Sequence, residues 1–143
     1  MSAWIMYNGY TILRKSLAGI MDEADMELLT RFIEEINIHR PANWIDLHNL
    51  RVIKYGALLH IDCHLTLPWY LNIHEGHREI DALSAMIKNR FGDAIELFVH
   101  TDGCLEFSCA VCTKTDCDVR QHPFQARLNW NMENVVSNQK HRM

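Results

Sequence analysis

The sequence lacks the excess of positive charge that nucleic-acid-binding proteins use to contact phosphate backbones. Fourteen lysine and arginine residues stand against eighteen acidic ones, which gives a net charge of -4 with histidine counted as neutral. It also lacks a secretory signal, because the first ten residues contain neither a basic stretch nor a long apolar one. We therefore expect no nucleic-acid partner and a reducing, cytosolic environment.

No apolar run is long enough to cross a membrane, since a spanning helix needs about 20 apolar residues. The first segment, Ala3–Tyr7, is apolar and aromatic, but Asn8 and Gly9 follow at once and the sequence then becomes amphipathic. Two interpretations stay open. The segment is either the exit end of a membrane helix that begins outside this sequence, or an amphipathic helix that packs on its own domain or on a partner.

Length and composition favour one globular domain. A chain of 143 residues is long enough for one hydrophobic core and short for two, and its 48% of apolar residues argue against extensive disorder. The abundant polar residues are of metal-ligand types: nine histidines and five cysteines beside eighteen carboxylates. Imidazole and thiolate are the ligands that borderline-soft divalent metals prefer, so the composition points to a metal ion.

Hydrophobic periodicity predicts the element order α-β-β-α-β after an N-terminal helical segment. The first helix of this order is predicted from Asp25 to about His39, and Pro41 ends it. Two strands follow over residues 44–55 and 58–67, and Gly56 separates them as the turn of a hairpin. The second strand alternates strictly between apolar and polar residues, which places the two sets on opposite faces of a sheet.

A second helix and a third strand complete the predicted order. Asn72 and Glu75 form a capping pair, and the helix after them carries one apolar stripe: Ile73, Ile80, Leu83, Ile87 and Phe91. A strand is predicted over residues 95–101, and residues 124–136 favour helix slightly over strand. The expected fold is therefore an α+β sandwich with a three-stranded sheet and helices on one face.

Ligand-type side chains are predicted to meet near one end of this sheet. His100 and Asp102 lie two residues apart on the last strand and therefore share a face. His64 lies in the far part of the second strand, from which it can meet them across the sheet. His77 is expected on the helix face turned towards the sheet, whereas His74 points to solvent. Any one of these histidines is more typical of an ordinary surface or core position, and it is the combination that suggests a metal site.

Four short segments carry a resemblance to a known family. They are His48-Asn49-Leu50-Arg51, Ile61-Asp62-Cys63-His64, Gly76-His77-Arg78-Glu79-Ile80-Asp81 and Val99-His100-Thr101-Asp102. In type and order they resemble the cytoplasmic domain of the cation diffusion facilitator family. Residues 13–22 are similar to the segment that joins the last membrane helix of that family to the domain. The resemblance runs roughly from Tyr7 to Cys104.

The resemblance implies a metallochaperone-like α-β-β-α-β fold that forms a homodimer and binds zinc or a related divalent ion at the dimer interface. Metal would tighten the dimer at the cytoplasmic face of the membrane and favour transport by the attached membrane domain. The ligand positions of the family correspond to His48, His64, His77, His100 and Asp102. In the fullest family sites, His64 bridges two ions. His48 and Asp102 complete one of them, and His77 and His100 complete the other.

Two departures from the family pattern limit this interpretation. Gly103 stands where proline commonly follows the His-x-Asp pattern, and we expect a looser strand end there. Transport in the family depends on Asp and His pairs in two membrane helices that this sequence lacks, so the chain alone is not expected to conduct ions. The leading hypothesis is a regulatory, metal-binding domain of a zinc efflux transporter, and the alternative is a stand-alone metal buffer or sensor. An enzyme is not expected, because no general base or substrate cleft accompanies the ligands.

The cysteines do not follow the spacing of a disulfide framework. Cys63 lies alone in a strand, and the others fall within fourteen residues: Cys104, Cys109, Cys112 and Cys117. Four thiolates can close a tetrahedral zinc site, which is our interpretation of this segment. A redox or metal-delivery cluster, an iron–sulfur site and unliganded thiols are the alternatives. His122 can replace one thiol, and Cys104 is the least secure ligand because it lies beside the His-x-Asp pattern.

These observations divide the chain into three parts. Residues 1–21 are predicted to be the end of a membrane helix and a linker helix. Residues 22–103 are predicted to form the cation-efflux cytoplasmic domain, and residues 104–143 a cysteine-rich, metal-binding extension.

Overall fold

Three β-strands and two long helices form the centre of the structure, a computed structural model that describes residues 2–17, 23–56 and 58–142. The predicted order of elements is confirmed. In chain order, the elements are α1 (Ser2–Leu17), α2 (Glu23–His39), β1 (Asp46–Tyr55), β2 (Leu58–Leu67), α3 (Ile73–Phe91), β3 (Ile95–Gly103) and α4 (Met132–Val135). Short 3-10 helices cover Gly92–Ala94 and Glu106–Ala110.

The three strands form one sheet in the order β1-β2-β3. The first two strands pair antiparallel as the predicted hairpin, and Gly56 adopts the positive φ of 64° that its turn requires. The pair β2–β3 is parallel, which needs a long crossover, and α3 supplies it. This connection returns β3 to the side of β2, so that the ligand-type residues of the two strands lie next to each other.

One face of the sheet is covered by the helices. The apolar residues of β2 are buried, and they form a single core with side chains of α2 and α3, including Phe32, Leu83 and Ile87. The alternate residues of β2 project from the opposite face, where His60, Asp62 and His64 are partly exposed and Thr66 is buried. The predicted alternation and the α+β sandwich are thus confirmed, and the polar set lies on the face away from α2 and α3.

The apolar stripe predicted for α3 is wrong at its first position. Ile73 is 90% exposed, and burial within this helix is complete only at Leu83 and Ile87. The predicted cap is present, because the Asn72 side chain accepts from the Glu75 N–H and the Glu75 carboxylate accepts from the Asn72 N–H. The first helical position therefore lies beside its cap, and the helix contacts the sheet core only with its later turns.

A β-bulge shifts the register of β1 between His48 and Arg51. Asn49 is the extra residue, and its φ of 51° lies in the left-handed region that asparagine tolerates better than most residues. Without the bulge, alternation from Leu47 would put Leu50 on the open face. With it, both leucines are buried in the core while His48 lies on the same face as His64.

The segment after β3 returns to the domain. Trp130 and Val135 are buried in the same core as the sheet and the helices. Within residues 124–136, only the turn Met132–Val135 is helical, and Asn131 caps it. The chain in this region is otherwise irregular, and its contacts with the core hold it against the domain.

The strand end at Gly103 is not loose, contrary to the expectation from the missing proline. Gly103 pairs with Leu67, and the next N–H, that of Cys104, donates to the Leu67 carbonyl at 2.8 Å. A Cβ at position 103 would lie 3.2 Å from the Trp69 Cβ, so a side chain here would crowd its neighbour. Close approach to Trp69 is the reason that glycine suits this position.

The apolar side chains of α1 do not pack on the domain. Trp4 and Met6 are 73% and 74% exposed, and Ile5 and Tyr7 are exposed as well. These residues therefore do not contact the chain's own domain, and packing on a partner stays open as the alternative interpretation. None of the helices in the described ranges is both long and apolar enough to cross a membrane. The interpretation of α1 as the end of a membrane helix stays a prediction.

Candidate metal centre

Three ligand-type side chains, one from each strand, converge on the open face of the sheet. His48, His64 and Asp102 place ligand atoms within 4.8 Å of one another, and within the described ranges no other group of three or more His, Cys, Asp or Glu residues does so. His64 Nδ1 lies 3.1 Å and His48 Nε2 lies 3.3 Å from the same Asp102 oxygen, Oδ2. The Asp102 carboxylate is therefore the centre of the group.

Strand register explains this convergence. His48 is directly opposite His64 across the antiparallel pair, and His64 is level with His100 across the parallel pair. Asp102 follows His100 by two residues, so it lies on the same face and next to the two imidazoles. The bulge at Asn49 completes the arrangement from the side of β1.

His48 is the most buried member of the group, with 3% of its surface exposed. Burial lowers its pKa, and the nearby Asp46 and Asp102 carboxylates offset this only in part. A His48 imidazole with a lowered pKa is neutral at neutral pH, which is the form that binds metals. The site thus supplies a ligand without first having to release a proton from it.

The two nitrogens of His48 face two carboxylates. Nε2 lies 3.3 Å from Asp102, and Nδ1, which has no hydrogen-bond partner, lies 3.7 Å from Asp46. A neutral imidazole has one N–H and one lone pair, so in either tautomer a lone pair faces a carboxylate. A cation held between His48 and Asp102 removes that conflict, because both groups then become its ligands. The residues present therefore fit a metal ion.

A second carboxylate, that of Asp46, lies beside His48 and is held there by the C-terminal tail. Asp46 is buried, and it accepts hydrogen bonds from the His141 backbone N–H at 2.9 Å and from His141 Nδ1 at 2.6 Å. The hydrogen bond to Asp46 raises the pKa of His141, against the opposing effect of burial. Lys140 adds a bond of 2.7 Å from Nζ to the Gly103 carbonyl. The C-terminal tail thereby holds Asp46 beside His48 and ties down the end of β3.

Asp46 and His141 were missed by sequence reasoning. Asp46 precedes His48 by two residues on the same strand, so strand periodicity alone was a usable signal for it. No local signal marks His141, which is ninety-five positions away in the chain. Its role depends on the path of the tail.

Two of the five predicted ligands flank the group rather than belong to it. His100 is largely exposed, its ring lies 4.7 Å from the His64 ring, and its Nε2 is 3.9 Å from Asp102 Oδ1. His77 is also exposed and lies 3.6 Å from Asp81 on its own helix. It borders an open cavity of about 350 Å³ that Asp102 also lines. His77 thus faces the space beside the site and does not touch the sheet ligands.

The four clustered cysteines line one smaller cavity, of about 170 Å³. All of them are free thiols, but within the described ranges no three come as close as the His48, His64 and Asp102 group does. His122 is exposed and is not among the residues that border this cavity. Cys63 lies apart in the core, where burial raises its pKa to about 12 and keeps the thiol protonated.

The donor set of the sheet group defines its chemistry. Two imidazoles and one carboxylate are ligands that zinc, cobalt, manganese and iron all accept. Three protein ligands leave at least one coordination position of a tetrahedral ion open to another donor. The group can hold a divalent cation and present it to a further ligand.

Several known proteins resemble this chain. Protein p34 of Rickettsia rickettsii (strain Sheila Smith) is 24% identical over 102 residues, which are 71% of this chain and 33% of p34. The chain therefore spans a third of the length of this curated relative. The metal-bound C-terminal domain of the CzcD transporter from Thermotoga maritima matches with a TM-score of 0.50 and 14% identity, over 58% of this chain and 94% of that domain. A zinc form of the MamM C-terminal domain matches with a TM-score of 0.48 and 18% identity, over 57% of this chain and 89% of that domain.

The family can be assigned from one further match. Residues 24–104, more than half of the chain, match the model for the cytoplasmic domain of cation efflux proteins. This range begins within α2, ends just after β3, and contains the three residues of the candidate metal centre. The structural similarity to the CzcD domain shows that the two domains share a fold. The chain thus belongs to the cation efflux family, whose cytoplasmic domain it contains.

Proposed function

We propose that this chain is the regulatory, metal-binding domain of a zinc efflux transporter, and that a divalent ion held by His48, His64 and Asp102 tightens a homodimer. The observation that carries the proposal is the meeting of these side chains from three strands around the Asp102 carboxylate. Membership of the cation efflux family supports the same role. Zinc is our working choice among the divalent ions that accept two imidazoles and a carboxylate.

Dimer closure follows from the open coordination position. An ion on three ligands of one chain gains affinity if a second copy adds a donor or covers the ion. His100 and His77 are exposed beside the group and are the candidate donors for such an arrangement. An ion that binds the closed dimer more tightly than the open one shifts the population towards the closed form.

The flanking parts of the chain have proposed roles as well. The exposed apolar side chains of α1, including Trp4 and Met6, support residues 1–21 as the end of a membrane helix with its linker. In that arrangement, residues 22–103 lie at the cytoplasmic face of the membrane and report metal to the transport domain. Residues 104–143 form the extension that carries the four clustered cysteines.

Sedimentation equilibrium tests the proposal. We expect the dissociation constant of the dimer to fall at least about tenfold when zinc replaces a chelator, which corresponds to about 1.4 kcal/mol of coupling between metal and dimer. Replacement of His64 and Asp102 by alanine should remove this response. A chain that remains monomeric with and without zinc would count against dimer closure. A dimer whose dissociation constant is the same with and without zinc would count against the regulatory role.

A further inference from the structure

A second group of potential metal ligands lies outside the centre described above. Cys104 follows the end of β3, Cys109 lies in the 3-10 helix, and Cys112 and Cys117 lie in the loop after it. All four border the same cavity of about 170 Å³, which Trp69 and other apolar side chains also line. The cavity has room for an ion together with moving side chains, since a water molecule occupies about 30 Å³.

The loop that carries these cysteines is held by one arginine. The Arg120 guanidinium donates to the carbonyl oxygens of Cys109 at 2.9 Å, Cys112 at 3.0 Å and Lys114 at 2.6 Å. These bonds fix the backbone of the central Cys-x2-Cys turn and leave its thiols free. Zinc–thiolate bonds are roughly 2.3 Å long, so the free sulfurs, which do not converge in the described residues, have to move together to bind an ion.

The cations around the cavity suit a metal complex of net negative charge. Arg120 and Lys114 both line the cavity, and Lys114 also forms an ion pair with Asp116 at 3.0 Å. The one carboxylate in the lining, that of Glu106, is exposed. A divalent ion on four thiolates carries a net negative charge, which adjacent cations stabilise. Arginine is always protonated in proteins, so this contribution does not depend on pH in the working range.

From these observations, we infer that Cys104, Cys109, Cys112 and Cys117 form a second metal site, which takes a thiophilic divalent ion such as zinc or cadmium, and that Arg120 positions its ligands. The site shares no ligand with the His48, His64 and Asp102 group. Thiolates are softer donors than imidazole or carboxylate, so the two sites should differ in metal preference. The inference stands independently of dimer closure.

Cobalt substitution of the full chain, kept reduced, tests the thiolate site. Tetrahedral thiolate ligation gives intense sulfur-to-cobalt charge-transfer absorption, which His and Asp ligands cannot produce. We expect that absorption to saturate at one cobalt per chain and to be displaced by cadmium. The variant C109S/C112S should lose it, whereas Cys63→Ala, which removes the thiol outside the cluster, should retain it.

Two further variants separate the site from its surroundings. His64→Ala with Asp102→Ala should keep the charge-transfer absorption, because the ligand sets are distinct. Arg120→Ala should weaken cobalt binding about 10- to 100-fold with all four thiols present, as is typical when a residue that orients metal ligands is lost. Arg127→Ala is the matched control, since Arg127 bonds only the Asn37 carbonyl among the contacts resolved for it.

The cobalt absorption spectrum of the unaltered protein tests the thiolate site even if a variant fails to fold. Reduced, cobalt-loaded protein without charge-transfer absorption overturns the thiolate site. A disulfide among the four cysteines that persists under reducing conditions overturns it as well. Either result would leave dimer closure untouched, because that proposal is judged by sedimentation with zinc.

Discussion

Replacement of His64 and Asp102 by alanine is expected to abolish tight zinc binding in protein that already carries C109S/C112S. The double change removes two of the three converging donors, including the carboxylate oxygen that both imidazoles contact. One buried imidazole is left, which cannot hold zinc alone. The loss of affinity should therefore exceed the roughly 10- to 100-fold typical of residues that only support a ligand. Calorimetric titration with zinc measures it.

The chain offers a matched control for this experiment. His60 and Glu96 form another histidine–carboxylate pair across the same two strands and on the same sheet face, with 2.9 Å between Nδ1 and Oε2. This pair does not belong to the converging group. Replacement of both residues by alanine should leave zinc stoichiometry and affinity unchanged. If the His64 and Asp102 variant binds zinc as well as this control does, the sheet site has to be abandoned.

Zinc should also stabilise the folded chain strongly. A ligand that binds only the folded state adds about 2.7 kcal/mol to the unfolding free energy when its free concentration is 100 times the dissociation constant. For a chain of this length, that corresponds to a rise of several degrees in melting temperature. In the C109S/C112S background, we expect this gain in thermal denaturation at about pH 7.5, because only the sheet site remains there.

The stabilisation of the folded chain by zinc should disappear as pH falls. Protons compete with zinc for imidazoles, whose ordinary pKa is about 6.5, so binding weakens below that value. His48 adds an effect without metal: its folded-state pKa is lowered by burial, so the unfolded chain takes up the proton more readily. The contribution of His48 to the stability of the metal-free protein is therefore lost as pH drops below about 6.5. Equal zinc-induced stabilisation at about pH 7.5 and pH 5.5 would contradict ligation by these imidazoles.

The sheet and its polar face could be predicted because their signals are local. Strict alternation in β2 separates the buried apolar set from His60 and His64, and the spacing of His100 and Asp102 places both on one face. The residues of the converging group lie in strands that pair with their neighbours in sequence order, so few topologies had to be considered.

Other features depend on interactions between distant parts of the chain. The buried pair Asp46 and His141 requires the tail to return to the start of β1, which no periodicity in residues 104–143 indicates. The bulge at Asn49 arises because Leu47 and Leu50 both pack in the core, and one extra residue between paired strands leaves only a weak signal in sequence. Local patterns carry no information on such contacts.

Spacing along a helix did not indicate how exposed two positions are. Ile73 fits an apolar stripe but lies beside the helix cap, where the helix has not yet reached the core. His77 fits the face turned towards the sheet but borders the open cavity and pairs with Asp81. A periodic pattern predicts which residues share a face of a helix. It does not predict how far along the helix that face is covered.

X-ray diffraction from zinc-loaded crystals of the C109S/C112S variant, collected on both sides of the zinc absorption edge, tests the central claim most directly. We predict an anomalous peak in contact with His48, His64 and Asp102, with a further donor from His100, His77, solvent or a second copy of the chain. Crystals that contain stoichiometric zinc but show no anomalous peak at these three residues would contradict the assignment of the metal centre.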